Sequence, residues 1–107
     1  MRVTADSSVL IAAAISHAGV CANLLEDILT SHELVISPFV VDEVTRKLRE
    51  KFHFPEPDIR RLRSFLRHAA VVVTPVNLPT NACRDPLDVP VLGTAVAGNA
   101  ALLVTVD

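Results

Sequence analysis

The stretch Arg2-Val3-Thr4-Ala5-Asp6-Ser7-Ser8 decides the fold of this chain, because it joins a short strand to a helix through one carboxylate. Its first four residues alternate weakly and predict a strand. The short oxygen-bearing side chains of Asp6, Ser7 and Ser8 can cap the helix that the following apolar residues predict. We therefore expect a strand, a turn and a helix, with Asp6 at the carboxyl end of the first strand.

The later elements are predicted from apolar runs and the residues that bound them. Ser37-Pro38 is typical of a helix start, with an N-cap followed by proline at the first helical position. Four further helical or strand patterns follow from the spacing of apolar residues. They are an inward stripe at Val40, Val41, Val44 and Leu48, a second at Ile59, Leu62, Leu66 and Ala69, a strand at 34–36, and a strand at 70–74 with an uninterrupted run of Val, buried on both faces.

Helix ends and the last elements complete the pattern. We expect Gly19 to end the first helix, and a second helix to begin near Cys21. After a long loop at 75–84, a helix is predicted from Asp85 or Asp88 to Ala97, with a left-handed stop at Gly98-Asn99. A fourth strand is predicted at 101–105.

Composition favours one α/β domain. The chain has 107 residues, of which 50% are hydrophobic, with no Trp or Tyr. Strands that alternate with helices predict parallel pairing and right-handed crossovers. The predicted fold is a three-layer α/β/α domain over residues 1–107, with a parallel sheet of about four strands.

Several classes of protein are disfavoured. No apolar run approaches the roughly 20 residues that span a bilayer, and the N-terminus does not resemble a signal peptide, so we expect a cytoplasmic protein. Cys21 and Cys83 are isolated, which favours reduced thiols over a disulfide or a zinc site. The four histidines lack the spacing of metal ligands. No glycine-rich phosphate loop or dinucleotide fingerprint is present.

Charge is distributed unevenly although the formal net charge is only −2. Residues 46–67 carry eight of the ten basic residues and three acids, and the remainder carries nine acids. A basic stretch beside an acidic remainder can hold a polyanion while a separate site holds cations. A solvated helix surface explains the charge equally well.

Four acids lie where a parallel sheet brings strand ends together. Asp6 and Asp107 follow the first and fourth strands, and Glu43 and Asp88 lie near helix starts that follow a strand. Clustered carboxylates repel each other unless a cation neutralises them. An all-oxygen ligand set favours Mg²⁺ or Mn²⁺ over Zn²⁺, and such an ion can serve phosphodiester cleavage.

Each acid also has a simpler explanation. Asp6, Asp85 and Asp88 can be helix caps, Glu43 can complement a helix dipole, and Asp107 can be a frayed terminal residue. Asp6 is the hardest to dismiss, because two small hydroxyl residues follow it at a strand end.

Four segments resemble, in order, the motifs of the PIN-domain family of metal-dependent nucleases. Asp6-Ser7-Ser8-Val9-Leu10 is similar to the opening motif, and Ser37-Pro38 followed by Glu43 resembles the helix that supplies the second acid. The third and fourth segments are Asp88-Val89-Pro90-Val91-Leu92-Gly93-Thr94-Ala95 and Leu103-Val104-Thr105-Val106-Asp107. Cys83-Arg84-Asp85-Pro86 resembles a run in the subgroup described as toxin components of toxin–antitoxin systems.

The resemblance implies a ribonuclease in which Asp6, Glu43, Asp88 and Asp107 are the catalytic, metal-binding acids. The ion implied is Mg²⁺ or Mn²⁺, and Ser8 and Thr105 would orient carboxylates or water. Asp85 is then a cap or a peripheral acid. The family further implies a homodimer and an antitoxin whose segment lies over the active-site groove. Candidates for RNA contacts are Arg46, Lys47, Arg60 and Arg61.

Two departures from the family pattern lead to alternatives. Pro90 lies near the start of the helix that carries Asp88, and the chain stops at Asp107, where family members continue with a helix and a fifth strand. We therefore expect a C-terminally short PIN-like domain whose fourth strand is an exposed edge, as a truncated copy or with a partner covering it. The alternative function is an inactive module that binds RNA or a protein partner.

Two other phosphate-handling folds lack their motif. A haloacid-dehalogenase-type phosphatase needs an Asp at the position of Ser8, and a receiver domain needs an acid at Thr74-Pro75.

Overall fold

The structure, a computed structural model, describes residues 1–106. Within these residues it contains four strands, five α-helices and one short 3-10 helix. The strands are β1 (Arg2–Ala5), β2 (Glu33–Ile36), β3 (Val71–Val72) and β4 (Leu102–Val104). The helices are α1 (Ser7–Ile15), α2 (Val20–Ser31), α3 (Pro38–Glu50), α4 (Glu56–Ala69) and α5 (Val89–Ala97), and the 3-10 helix is Pro86–Asp88.

All strands are parallel and lie in the order β3-β2-β1-β4. The register pairs Val3 of the central strand β1 with Leu34 on one side and Leu102 on the other. This topology confirms the predicted α/β fold. β2 and β3 are added on one side of β1, and β4 is added on the other side. Because crossovers between parallel strands are right-handed, α1 to α4 cover one face of the sheet and α5 covers the other. This change of side creates a switch point between β1 and β4, where ligands of such sheets bind.

The core lies around β1, β2 and the helices that follow them. The last three residues of each of these strands are buried. On α3, the predicted inward stripe is confirmed, since Val40, Val41, Val44 and Leu48 are all buried. Ser37 caps α3 by accepting a hydrogen bond from the Val40 amide at 3.4 Å, and Pro38 occupies the first turn as predicted. This helix start positions Glu43 about one and a half turns into α3.

The third strand differs from its prediction. Residues 70–74 were expected to form a strand buried on both faces, but β3 is only Val71–Val72, and Val72 is exposed. β3 lies at one edge of the sheet and pairs only with β2, so apolar residues alone did not determine its length or burial. Ala69, expected to face inward, is exposed at the end of α4.

One predicted helix end is wrong, whereas the left-handed stop at 98–99 and the start of the last helix near Asp88 are confirmed. Ser16, not Gly19, ends α1, and Gly19 is instead the N-cap of α2. Gly98 has a negative φ, while Asn99 holds the left-handed conformation with φ 54°. Gly98 is required for another reason, because a Cβ there would lie 2.3 Å from Cγ1 of the buried Val35. Pro90 lies in the first turn of α5, where proline breaks no helical hydrogen bond.

No single helix within residues 1–106 is long and apolar enough to cross a membrane. Only together would α1 and α2 be long and apolar enough, and they are bent by 111° at their junction.

Candidate active site

Asp6 connects β1 to α1 at the switch point of the sheet. Its backbone amide donates to the Val104 carbonyl of β4 at 3.0 Å, which extends the pairing of the two strands. Its carboxylate Oδ1 accepts from the Val9 amide at 3.2 Å and so caps α1. The expected capping role is therefore present, but it uses only part of the carboxylate's capacity to accept hydrogen bonds.

Two hydroxyl groups hold the Asp6 carboxylate from opposite sides. Ser8 Oγ donates to Oδ1, and Thr105 Oγ1 donates to Oδ2. The Val106 amide donates to Ser8 Oγ at 3.4 Å, which ties this hydroxyl to the end of β4. An ionised carboxylate has about four acceptor positions, so about one remains on Oδ2 after these contacts. The remaining position is available to a cation or to water.

Asp88 lies near Asp6, in the segment that leads into α5. It ends the 3-10 helix and is the N-cap residue of α5, yet its side chain makes no capping hydrogen bond. Asp6 and Asp88 line one cavity of about 190 Å³, here called the acidic cavity. Its other lining residues are Cys83, Val91, Leu92, Leu103 and Thr105. The structure thus brings two of the four candidate acids together.

Glu43 lies beside this centre and does not line the acidic cavity. Ser7 Oγ donates to Glu43 Oε1, and Lys47 Nζ lies 3.6 Å from the same oxygen. Glu43 lines a second cavity of about 220 Å³, the α3 cavity, with Phe39, Asp42 and Arg46. Because Ser7 directly follows Asp6, the Ser7–Glu43 hydrogen bond links the two cavities.

A larger cavity lies elsewhere and has different chemistry. It measures about 480 Å³ between α1, α2 and α4, and its lining is mostly apolar, including Leu10, Leu25 and Phe65. Glu26 is the only carboxylate residue among those that line it. Cavity size and carboxylate content therefore point to different places, and the paired carboxylates at the switch point make the acidic cavity the candidate site.

A family model for the PIN domain matches residues 2–107. The chain belongs to the PIN-domain family. PIN domains are generally nucleases and typically use divalent metals, so the chain is a nuclease-type hydrolase at this level of description. No curated protein matches the chain.

The oxygen donors of this PIN domain fit a hard divalent ion. Asp6 and Asp88 supply carboxylates to one cavity without a histidine, and Mg²⁺ is commonly bound through one or two carboxylates together with waters and substrate phosphates. Residues 1–106 contain no group of three or more His, Cys, Asp or Glu placed to hold a metal ion. A site with two carboxylates is consistent with both observations.

The remaining predicted residues fall into two groups. Ser8 and Thr105 contact Asp6, as described above, and Asp85 caps the 3-10 helix by accepting from the Leu87 amide at 3.0 Å. Asp107 lies outside the described residues, so its predicted role stays a prediction.

The four basic candidates occupy two different helices. Arg46 and Lys47 lie beside Glu43 on α3. Arg60 and Arg61 are exposed on α4, and Arg61 pairs with Asp58 at 2.7 Å. Of these four basic residues, the α3 pair lies beside a candidate catalytic acid, Glu43.

Sequence reasoning missed three residues that shape the site. Ser7 was read only as a capping residue, but its hydroxyl holds Glu43. Cys83 was read as an isolated thiol, but it lines the acidic cavity. Thr94 Oγ1 lies 2.8 Å from Ser37 Oγ and joins α5 to the start of α3. The polar residue in the apolar face of α5 was the available signal for Thr94, and no local pattern pointed to the other two contacts.

Proposed function

We propose that this PIN domain is a metal-dependent endoribonuclease of the kind found as the toxin of toxin–antitoxin pairs. The observation that carries the proposal is the acidic cavity, where Asp6 and Asp88 meet between β1 and β4. A carboxylate pair at a switch point is suited to a cation that a phosphodiester also contacts.

The proposed ligands of Mg²⁺ or Mn²⁺ are Asp6 and Asp88, with Glu43 and Asp107 as further acids of the same centre. When bound, the ion supplies an activated water and neutralises charge on the phosphodiester. The protein's own hydroxyl groups have a separate task. Ser8 and Thr105 keep the Asp6 carboxylate in one orientation, which lowers the cost of arranging it during the reaction.

The substrate proposed is single-stranded RNA. Arg46 and Lys47 place positive charge next to Glu43, and this charge offsets the repulsion between the acids and an RNA backbone. Arg60 and Arg61 would contact a longer RNA at the exposed face of α4. In hydrolysis the water oxygen forms a new bond to phosphorus, the bond from phosphorus to the leaving sugar oxygen breaks, and that sugar oxygen takes up a proton.

The partners proposed are a cognate antitoxin protein and a second copy of the chain, in the cytoplasm. Support for protein partners comes from the edge strand β4, where Leu102 and Leu103 are exposed. An exposed apolar edge favours association with another chain. Light scattering of the purified protein measures its mass in solution, and a mass of one chain at micromolar concentration would contradict the dimer.

Cleavage of end-labelled single-stranded RNA tests the proposed activity. The purified protein is incubated with Mg²⁺, with Mn²⁺ or with chelator, beside Asp6→Asn and the matched control Asp27→Asn on the exposed face of α2. Asn caps helices about as well as Asp, so Asp6→Asn keeps the fold while it removes the charge. We expect metal-dependent cleavage by the parent and Asp27→Asn only.

The second candidate is a PIN-like module that binds RNA or protein without cutting. It is favoured by the placement of Glu43 outside the acidic cavity. A folded parent protein that leaves the RNA intact and binds no Mn²⁺ would favour this module over the nuclease.

A further inference from the structure

The α3 cavity combines side chains that the core and the acidic cavity do not use. Phe39, Asp42, Glu43 and Arg46 recur at helical spacing along one face of α3, so they line one continuous surface. Phe39 is 38% exposed, although the other apolar residues of the helix form its buried stripe. An exposed aromatic ring beside a candidate catalytic acid is therefore not explained by packing.

The charge of Arg46 is not accounted for by an ion pair within residues 1–106. Lys47 lies near Glu43, and Arg49 pairs with Glu56. Side chains of a helix lean toward its N-terminus, so the long Arg46 side chain leans along α3 toward Phe39. A planar cation and an aromatic ring thus flank the same cavity.

These two groups suit a flat, unpaired nucleobase. Proteins that bind single-stranded RNA stack its bases on aromatic rings and on arginine guanidinium planes. The cavity, about 220 Å³, is smaller than the roughly 300 Å³ at which pockets for drug-sized ligands begin. It is thus of a size for one base instead of a whole nucleotide chain.

Asp42 adds a chemical preference. Its carboxylate can only accept hydrogen bonds when ionised, so it favours a base with an exocyclic amino group. Cytosine and adenine carry such a group, and uracil does not. Glu43 is already engaged by Ser7 and Lys47, which leaves Asp42 as the open acceptor of this cavity.

We propose that Phe39, Asp42 and Arg46 form a subsite that stacks and reads one unpaired RNA base next to the acidic cavity. The inference rests on the proposed function, because it places this base beside the phosphodiester that is cut. Its position follows from Glu43, which lines the subsite and is tied through Ser7 to the residue after Asp6. The subsite thereby makes cleavage depend on the neighbouring base.

Binding is measured separately from cleavage. Fluorescence anisotropy with 5′-labelled oligo(C), oligo(A) and oligo(U) is carried out with Asp6→Asn as the parent protein, in chelator. Adding Phe39→Ala should weaken oligo(C) binding by on the order of 5- to 100-fold, the range for loss of one stacked base. Phe39→Tyr should restore it. Phe65 is also exposed but lies on α4, so the control variant Phe65→Ala should bind like the parent.

Two further variants divide the contributions within the subsite. Arg46→Lys keeps the charge and loses the plane, so it should weaken binding of all three oligonucleotides. Asp42→Asn should reduce the preference for oligo(C) and oligo(A) over oligo(U). Loss of the helical circular dichroism spectrum identifies any variant that fails to fold.

The outcomes separate the subsite from the nuclease. Equal affinities of Phe39→Ala, Phe65→Ala and the parent would overturn the subsite, as would the absence of RNA binding by the parent. Metal-dependent cleavage by the chain without any substitution would then still support the proposed nuclease function. Selective loss of binding in Phe39→Ala, with no cleavage by the unchanged chain, would support the subsite and reject the proposed function.

Discussion

Asp6 and Asp88 line one cavity, but the two regions that carry them are built differently. Asp6 lies between a buried strand and a helix, and its carboxylate accepts from a backbone amide and two hydroxyls. Asp88 is exposed and follows residues 73–85, which contain no strand or helix. One carboxylate is oriented by direct hydrogen bonds, and the other is positioned by the docking of α5.

The docking of α5 therefore determines where Asp88 lies. A Cβ at Gly93 would lie 2.5 Å from the Val76 carbonyl oxygen, and the Val76 amide donates to the Gly93 carbonyl at 3.1 Å. Thr94 joins the same helix to Ser37. Close backbone approach thus replaces, for Asp88, the direct hydrogen bonds that hold Asp6.

Removing either carboxylate charge should have the largest effect. Asp6→Asn and Asp88→Asn should each lower the rate of RNA cleavage by roughly 10²- to 10³-fold, as expected for loss of charge that stabilises a transition state. Single-turnover rates with saturating protein measure this effect. A Asp88→Asn variant that cuts at the parent rate would remove Asp88 from the centre.

Loss of a hydroxyl that orients Asp6 should have a smaller effect. Thr105→Val removes the donor to Oδ2 and should lower activity by about 10- to 100-fold, the range for groups that orient metal-binding residues. Thr105→Ser keeps the donor and should retain most activity. Equal rates for the Val and Ser variants would show that the hydroxyl does not orient Asp6.

The region of Asp88 should respond to packing. Gly93→Ala forces a Cβ against the Val76 backbone and should lower the free energy of unfolding by about 1–3 kcal/mol, despite the better helix propensity of Ala. Urea unfolding measures this change. Gly19→Ala, where the nearest atom is the side-chain oxygen of Ser16 at 3.1 Å, is the control; it should cost less than Gly93→Ala, about 0.5–1 kcal/mol, because Ala is a poorer N-cap than Gly. Equal stability of the two variants would contradict close packing at Gly93.

The smallest effect is expected away from both carboxylates, at the pair of Arg49 and Glu56. The hydrogen bond from Arg49 lowers the pKa of the Glu56 carboxyl below its usual range. A lowered folded pKa gives stability that is present above the unfolded value, about pH 4.3, and lost as the pH falls through the folded pKa. Glu56→Gln should thus be slightly less stable than the parent at pH 7 and should approach it in acid, with cleavage unchanged. Thermal unfolding from pH 7 to pH 3 measures the difference, and a constant difference would contradict it.

The sequence was sufficient to predict the elements whose signals are local. β1 and β2 follow from apolar runs, and α3 follows from Ser37-Pro38 and its inward stripe. The extent of β3 was not predictable in this way, because it depends on a position at the sheet edge that hydrophobicity does not encode. The structural reason for glycine at position 98 was not predictable either, since it depends on contact with Val35 of a strand distant in sequence.

The site shows the same division. The position of Asp6 beside Ser8 is encoded within three residues of sequence. The sharing of one cavity with Asp88 depends on strand order, and the placement of Glu43 in a neighbouring cavity depends on Ser7. The meeting of Asp6 and Asp88 was expected, because the carboxyl ends of parallel strands lie at one edge of the sheet. The separate placement of Glu43 could not be deduced from spacing, because its contact with Ser7 joins residues of two different helices.

Affinity for Mn²⁺ tests most directly whether the two regions form one cation-binding centre. Electron paramagnetic resonance of free Mn²⁺ is used to titrate the parent, Asp6→Asn, Asp88→Asn and the remote control Asp27→Asn. The account predicts binding by the parent and the control, and weakening by about 10-fold or more in each of the other two variants. Mn²⁺ binding that is unchanged by both Asp6→Asn and Asp88→Asn would contradict it.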